Sequence, residues 1–357
     1  MVGYGSDTTQ DVMNALAGFV PTATGGNFFE PAASSAATGK RQLISWDAFG
    51  STCITPKPGF TSIVRPNGST NGRRVLSRKI DGGNWPVSTT SCGGPKPGAA
   101  IPADFARSSS GVAPGGTGPL TYIPFGRDAL SFGYWAEPGV TPVTNLTTAQ
   151  LTALHSTGPI TIGTVTIYAC EIQNGSGTYG TWRDKLSVTD AQIDAATTAC
   201  TPTDADDVQE NHGLQLQARG QAVANNNPTQ DVQVVVGFSA ANFISQTNGK
   251  VTSQLPSPAG TVDLGTIDGL PKAYDGPVAG PVTPNSTFYG NATWGRDVYN
   301  VLSTALLANA GNSDIKSMFV GPNSGVCSKA SVIAEFGFPA PVLNPCGDTT
   351  LQGPLVA

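Results

Sequence analysis

The chain has 357 residues, a formal net charge of −5, 12% charged residues and 39% hydrophobic ones. That apolar content argues against disorder, and the lack of any Lys/Arg run argues against a nucleic-acid partner. The length predicts two domains, and abundant Gly (44) and Pro (28) predict a loop-rich surface solvated by hydroxyls and amides.

In chain order, "VGYGSDTTQ" opens with a glycine-rich turn and three hydroxyls. Val12, Met13, Leu16, Phe19 and Val20 carry helical spacing over residues 8–20, with Asp7 and Gln10 reading as a capping box. Residues 43–50, "LISWDAFG", read as a strand and turn, and residues 65–80 as a polar turn before a helix. "ADFARSSSG" (103–111) is a short strand running into three serines, and residues 121–136 form a long β-rich segment. "LTTAQLTALHS" (146–156) is a helix boxed by Thr147 and Gln150. Residues 165–186 read as strand, Gly/Ser turn and helix, and "DAQIDAATTAC" and "DVQENHGLQLQARGQAV" as helices. "DVQVVVGFSAANFIS" (231–245) is a buried strand and its exit. A polar Pro/Gly-rich stretch, 246–287, precedes "TWGRDVYNVLS". Strands alternating with helices predict an α/β fold with mainly parallel sheets.

Six cysteines, Cys53, Cys92, Cys170, Cys200, Cys327 and Cys346, form no CxxC, and the only histidines are His155 and His212. A zinc site is therefore disfavoured and no cofactor is expected. The even count suits three disulfides in an oxidising compartment. Fifteen pairings are open, and sequential pairing is the expectation because the cysteines occupy three separate neighbourhoods. No apolar run reaches membrane-spanning length. Met1 directly before "VGYGSD" reads as a start placed on a mature exported chain, so the expected location is extracellular or in the cell envelope. Without a Gly-x-Ser-x-Gly elbow or an evident His–Asp pair, a hydrolase is not expected.

One device recurs: a Gly/Ser/Thr/Asn turn near an expected strand-to-helix junction, at 5–9, 67–72, 106–111 and 174–180. A helix N-terminus offers unpaired N–H groups and partial positive charge, which suit an anion. Glycine permits close backbone approach, and hydroxyls add adjustable donors.

These stretches resemble the phosphate-binding solute receptors of ABC uptake systems, within the type II periplasmic-binding fold. "VGYGSDTTQDVMNAL" is similar to their opening turn and first helix, and "ADFARSSSG" to their Asp-Phe-Gly-x-Ser-Asp segment. "QNGSGTYGTWRDKL" resembles their Gly-Ser-Gly-Thr loop, and "IDGLPKA…NATWGRDVYNVL" their late Tyr-Pro-x-x-Arg-x-x-Tyr stretch. The resemblance implies a ligand held by Ser6, Asp7, Thr8, Ser69, Arg107, Ser108, Ser109, Ser176, Gly177 and Thr178. The family's arginine and aspartate before the loop fall on Ile172 and Asn174, and its proton-accepting acid on Ser109, so Arg107 is the expected replacement cation. Truncating Arg107 is expected to weaken anion binding and leave folding nearly unchanged.

The implied organisation is two lobes, 1–128 with 240–357 and 129–239, joined by crossings near 126–136 and 234–242 with ligand between them. The implied function is capture of a small oxyanion, phosphate foremost, by a monomer that hands it to an ABC permease. An exported binding-fold protein without a transport role, or a receptor for another small polar ligand, is the alternative.

Overall fold

A computed structural model describes residues 1–22, 25–28, 43–86 and 90–357, apart from the side chains of Pro21 and Phe28. The strands that organise it are β1 (Val2–Gly5), β2 (Ile44–Ser45), β3 (Phe105–Ser108), β4 (Leu120–Ala136), β5 (Ile160–Ile162), β6 (Val165–Ala169), β7 (Asp231–Ser239), β8 (Val262–Leu264), β9 (Gly295–Ser303) and β10 (Gln352–Gly353). The helices used below are α1 (Gln10–Leu16), α2 (Gly68–Asp81), α3 (Thr148–Ser156), α4 (Gly177–Leu186), α5 (Asp190–Thr197), α6 (Gly213–Asn226) and α7 (Ala240–Thr247). The fold class is α/β. Among the described residues no helix is long and apolar enough to cross a membrane.

The chain divides into two compact units, Met1–Arg127 with Asp297–Ala357, and Asp128–Arg296. In unit one β1 pairs in parallel with β2 and β3, β3 runs antiparallel to β9, and β10 runs antiparallel to the start of β4. Val2, Tyr4, Val75, Trp85 and Ile101 form one core cluster, and Leu76, Tyr122, Tyr299 and Val301 another. In unit two β6 and β7 are parallel, while β4 is antiparallel to β7 and β8, and β5 to β6. Parallel pairs join β1 to β2 and β3 and β6 to β7, and the long β4 and β9 add antiparallel partners, so the sheets are mixed within the expected α/β fold.

The sequence placed the return from the second lobe at residue 240; the second division falls instead between Arg296 and Asp297. The reason is packing. All but the first residue of β7 are buried, and α7, which follows it, stacks Phe243 on Tyr274 at 5.2 Å. Ala240, Phe243, Ile244, Tyr274, Phe288 and Trp294 thereby pack in the core of unit two with Trp135 and Trp182.

Two local signals fared differently. Thr147 and Gln150 form the expected reciprocal capping box on α3. The Asp7–Gln10 box is not the cap of α1, whose N-cap is Thr9 without a side-chain cap bond, and the Gln10 amide oxygen accepts from Ala48 N at 2.9 Å. The glycine-rich residues 68–72 lie within α2, not in a turn before it. Of the expected helix 207–223, only residues from Gly213 onward are helical. Cysteines pair in sequence as Cys53–Cys92, Cys170–Cys200 and Cys327–Cys346.

Candidate functional site

Three loops of unit one converge because two glycines let them. Gly5, at φ +123°, ends β1 so close to β3 that a Cβ there would lie 2.5 Å from Arg107 O. A Cβ on Gly72, in the second turn of α2, would lie 2.5 Å from Gly5 Cα. Gly5 bridges Asn67, and Ser6 N donates to Arg107 O at 3.2 Å. The turn after β1, the N-terminus of α2 and the end of β3 therefore meet, and they carry the predicted unit-one residues.

Ser6, Asp7, Thr8, Ser69, Arg107, Ser108 and Ser109 are all fully buried. Ser69 Oγ accepts from Ser109 N at 3.1 Å and lies 3.2 Å from Ser109 Oγ. Two hydroxyls sharing one bond retain one hydrogen between them for an external acceptor. The Ser6 Oγ and Thr9 Oγ1 hydroxyls are sealed from solvent with no hydrogen-bond partner among the described residues. Thr9 was not anticipated. Ser108 is spent locally, donating to Ser110 O at 2.7 Å.

Arg107 is an internal strut. Its Nε donates to Ser6 O at 3.0 Å, Nη2 to Gly5 O at 3.1 Å and Nη1 to Ser45 Oγ at 2.7 Å. Burial pulls its pKa down to about 10, against the opposing pull of Asp47, Asp7 and Asp11. These bonds hold the very turn that carries Ser6, which argues against the expectation that folding is indifferent to Arg107. Asp11, on α1, has its carboxyl pushed up to about 7 by burial and by Asp47, with Arg107 opposing.

In unit two Ser176 caps α4: its oxygen accepts from Thr178 N at 2.9 Å and Tyr179 N at 3.3 Å, while its hydrogen goes to Glu210. One hydrogen and two lone pairs are the whole capacity of a hydroxyl, so Ser176 builds the loop and has no donor left for a ligand. Gly177 and Thr178 are buried in the first turn of α4. Thr178 Oγ1 accepts from Arg296 Nη2 at 2.6 Å, which turns the hydroxyl hydrogen away from the guanidinium.

Arg296 and its partner Asp128 were missed. Asp128 Oδ1 accepts from Ser239 Oγ and Ala241 N, both at 3.0 Å, and its Oδ2 pairs with Arg296 at 2.8 Å. The signal was present twice, as Gly-Arg-Asp at 126–128 and 295–297. The copies exchange partners: Arg127 pairs with Asp297 at 2.8 Å as Arg296 pairs with Asp128.

Both histidines serve helices. His155 Nδ1 lies 2.9 Å from Leu151 O and its Nε2 accepts from Trp182 Nε1 at 3.2 Å, while His212 caps α6.

No protein-family profile matches the chain, and no curated protein matches it. Among solved structures it is similar to an ABC-type phosphate transport receptor from Vibrio cholerae, at 16% identity over 96% of this chain and 100% of that one, TM-score 0.47. It is also similar to a phosphate binding protein from Stenotrophomonas maltophilia, at 11% identity over 98% and 91%, TM-score 0.45. A human phosphate binding apolipoprotein aligns at 12% identity over 95% and 90%, TM-score 0.42.

Proposed function

We propose that the chain is an exported solute-binding protein, not an enzyme, which captures a small oxyanion, phosphate foremost, for ABC-type uptake. The observation that supports this reading best is the pair of sealed, unpartnered hydroxyls on Ser6 and Thr9, beside the Ser69–Ser109 pair and the buried Arg107 cation. A buried hydroxyl left unsatisfied costs about 1–3 kcal/mol, which a ligand oxygen recovers. In unit two, taken by itself, Thr178 beside Arg296 is a further candidate ligand contact.

Carboxylates close to such donors repel a fully ionised anion. Hydrogen phosphate is different, because it carries a proton to donate to a carboxylate, and sulfate does not. Asp7 and Asp11, both within electrostatic reach of Arg107, are the acceptors that would favour phosphate over sulfate. The resemblance noted in the sequence implies phosphate too, with Asp7 or Asp11 standing in for the family's proton-accepting acid, whose position Ser109 holds here.

Calorimetric titration of the purified chain with phosphate and with sulfate tests the reading. Phosphate should bind, sulfate should bind far more weakly, and Ser69→Ala and Thr178→Val should each lower phosphate affinity by roughly 5- to 150-fold. A folded protein that takes up neither anion would remove the proposal.

A further inference from the structure

Unit two holds another group of buried polar atoms, outside these donor sets. Ile172 and Val208 form a parallel bridge, with Val208 N donating to Glu171 O at 2.9 Å and Gln173 N to Val208 O at 3.0 Å. Ile172 and Val208 both sit in the apolar core. Side chains alternate along extended backbone, so Glu171, Gln173, Asp207 and Gln209 share the opposite face of the bridge. On that face Glu171 Oε1, Gln173 Oε1, Asp207 Oδ2 and Gln209 Oε1 are sealed from solvent, each without a hydrogen-bond partner among the described residues. Glu171 itself is only 6% exposed. The Gln173 amide is oriented by its Nε2, which donates to Asn174 O at 2.9 Å.

Four acceptors cannot satisfy one another, and a single water brings only two hydrogens. A hard divalent cation satisfies all four at once, since calcium takes six to eight oxygens from carboxylates, amide carbonyls and water. We propose that Glu171, Gln173, Asp207 and Gln209 form a divalent-cation site suited to Ca2+. The two carboxylates match the charge of the ion, and the two amides extend the oxygen set. No group of three or more His, Cys, Asp or Glu suited to a metal occurs among the described residues, so the site is a mixed carboxylate–amide one. The Asn174 backbone N–H donates to Asp207, so the ion would tie the entry of the 174–178 loop to the 204–209 segment.

The experiment uses the full chain, dialysed against chelator, then titrated with CaCl2 and melted with and without it at pH 7.5. A one-site isotherm is expected, with the melting midpoint raised by roughly 3 °C or more at saturation. Glu171→Gln should fold with an unchanged circular dichroism spectrum and lose both responses; Asp207→Asn reads the same loss if Glu171→Gln does not fold. The absence of both binding heat and a melting shift in the unmodified chain overturns the proposal, as does a full response retained in either folded variant.

Discussion

Arg296 donates to one oxygen of Asp128 from both Nε, at 3.1 Å, and Nη2, at 2.8 Å. Both side chains are buried, so each charge depends on the other. Removing one partner of such a pair leaves an uncompensated buried charge, at about 3–5 kcal/mol. Arg296→Met should therefore lower the urea midpoint by that much stability, and Arg296→Lys should recover little, because a lysine cannot reproduce the fork. A loss below about 1 kcal/mol would show that Asp128 is held well enough by Ser239 and Ala241.

Thr178 and Ser176 stand two residues apart and should separate cleanly. Thr178→Val removes the hydroxyl that accepts from Arg296 and should weaken phosphate binding by roughly 5- to 150-fold. Ser176→Ala removes the cap of α4 and should cost about 1–2 kcal/mol in denaturant unfolding, with affinity following only as the loop loosens. Equal affinity losses with equal melting shifts would merge the two roles.

Arg107→Met takes away three hydrogen bonds to Gly5, Ser6 and Ser45. Two buried carbonyls lose a charged donor, so unfolding free energy should fall by about 2–5 kcal/mol, and phosphate affinity should fall as well. Calorimetric melting with and without phosphate checks both. A mutant that melts like the parent would return Arg107 to the role of a ligand contact alone.

His155 sets an acid limit. Its Nε2 accepts from Trp182, so protonation would set donor against donor, and burial pulls its pKa down to about 4. The folded pKa is depressed below the ordinary 6.5, so the unfolded chain binds the proton first. This contribution to stability is complete above pH 6.5 and is lost as pH falls toward 4. Asp11 works in the opposite sense: its raised carboxyl, titrating near 7, contributes stability below pH 4 that is lost as pH rises through 7. Urea midpoints of His155→Phe against pH should lose the acid-side slope, and those of Asp11→Asn the slope between pH 4 and 7. Unchanged slopes in both variants would reject these assignments.

What the sequence revealed follows from how local each signal is. The Thr147–Gln150 box lies within one turn, and its residue types suffice. Asp7 and Gln10 show the same spacing, yet Gln10 is claimed by Ala48 N, a contact 38 residues away that no short window reveals. The hydroxyl-rich turns were legible because glycine and serine types state what their backbones can do. Which hydroxyls were already spent was not: the saturation of Ser176 depends on Glu210, and Ser108 turns back onto Ser110. Arg296 stayed hidden because a Gly-Arg-Asp triplet gains meaning only when its second copy lies alongside it.

The duplicated triplet also governs how β4 and β9 can align. Leu130 N donates to Trp294 O at 2.8 Å, so the strands run past each other with Arg127 facing Asp297 and Asp128 facing Arg296. Sliding one strand by a single residue brings Asp128 onto Asp297 in one direction and Arg127 onto Arg296 in the other. Either slip buries like charge against like and turns every side chain to the wrong face. Two residues per strand, written in the same order on both, thus spell out one alignment and forbid its two nearest neighbours.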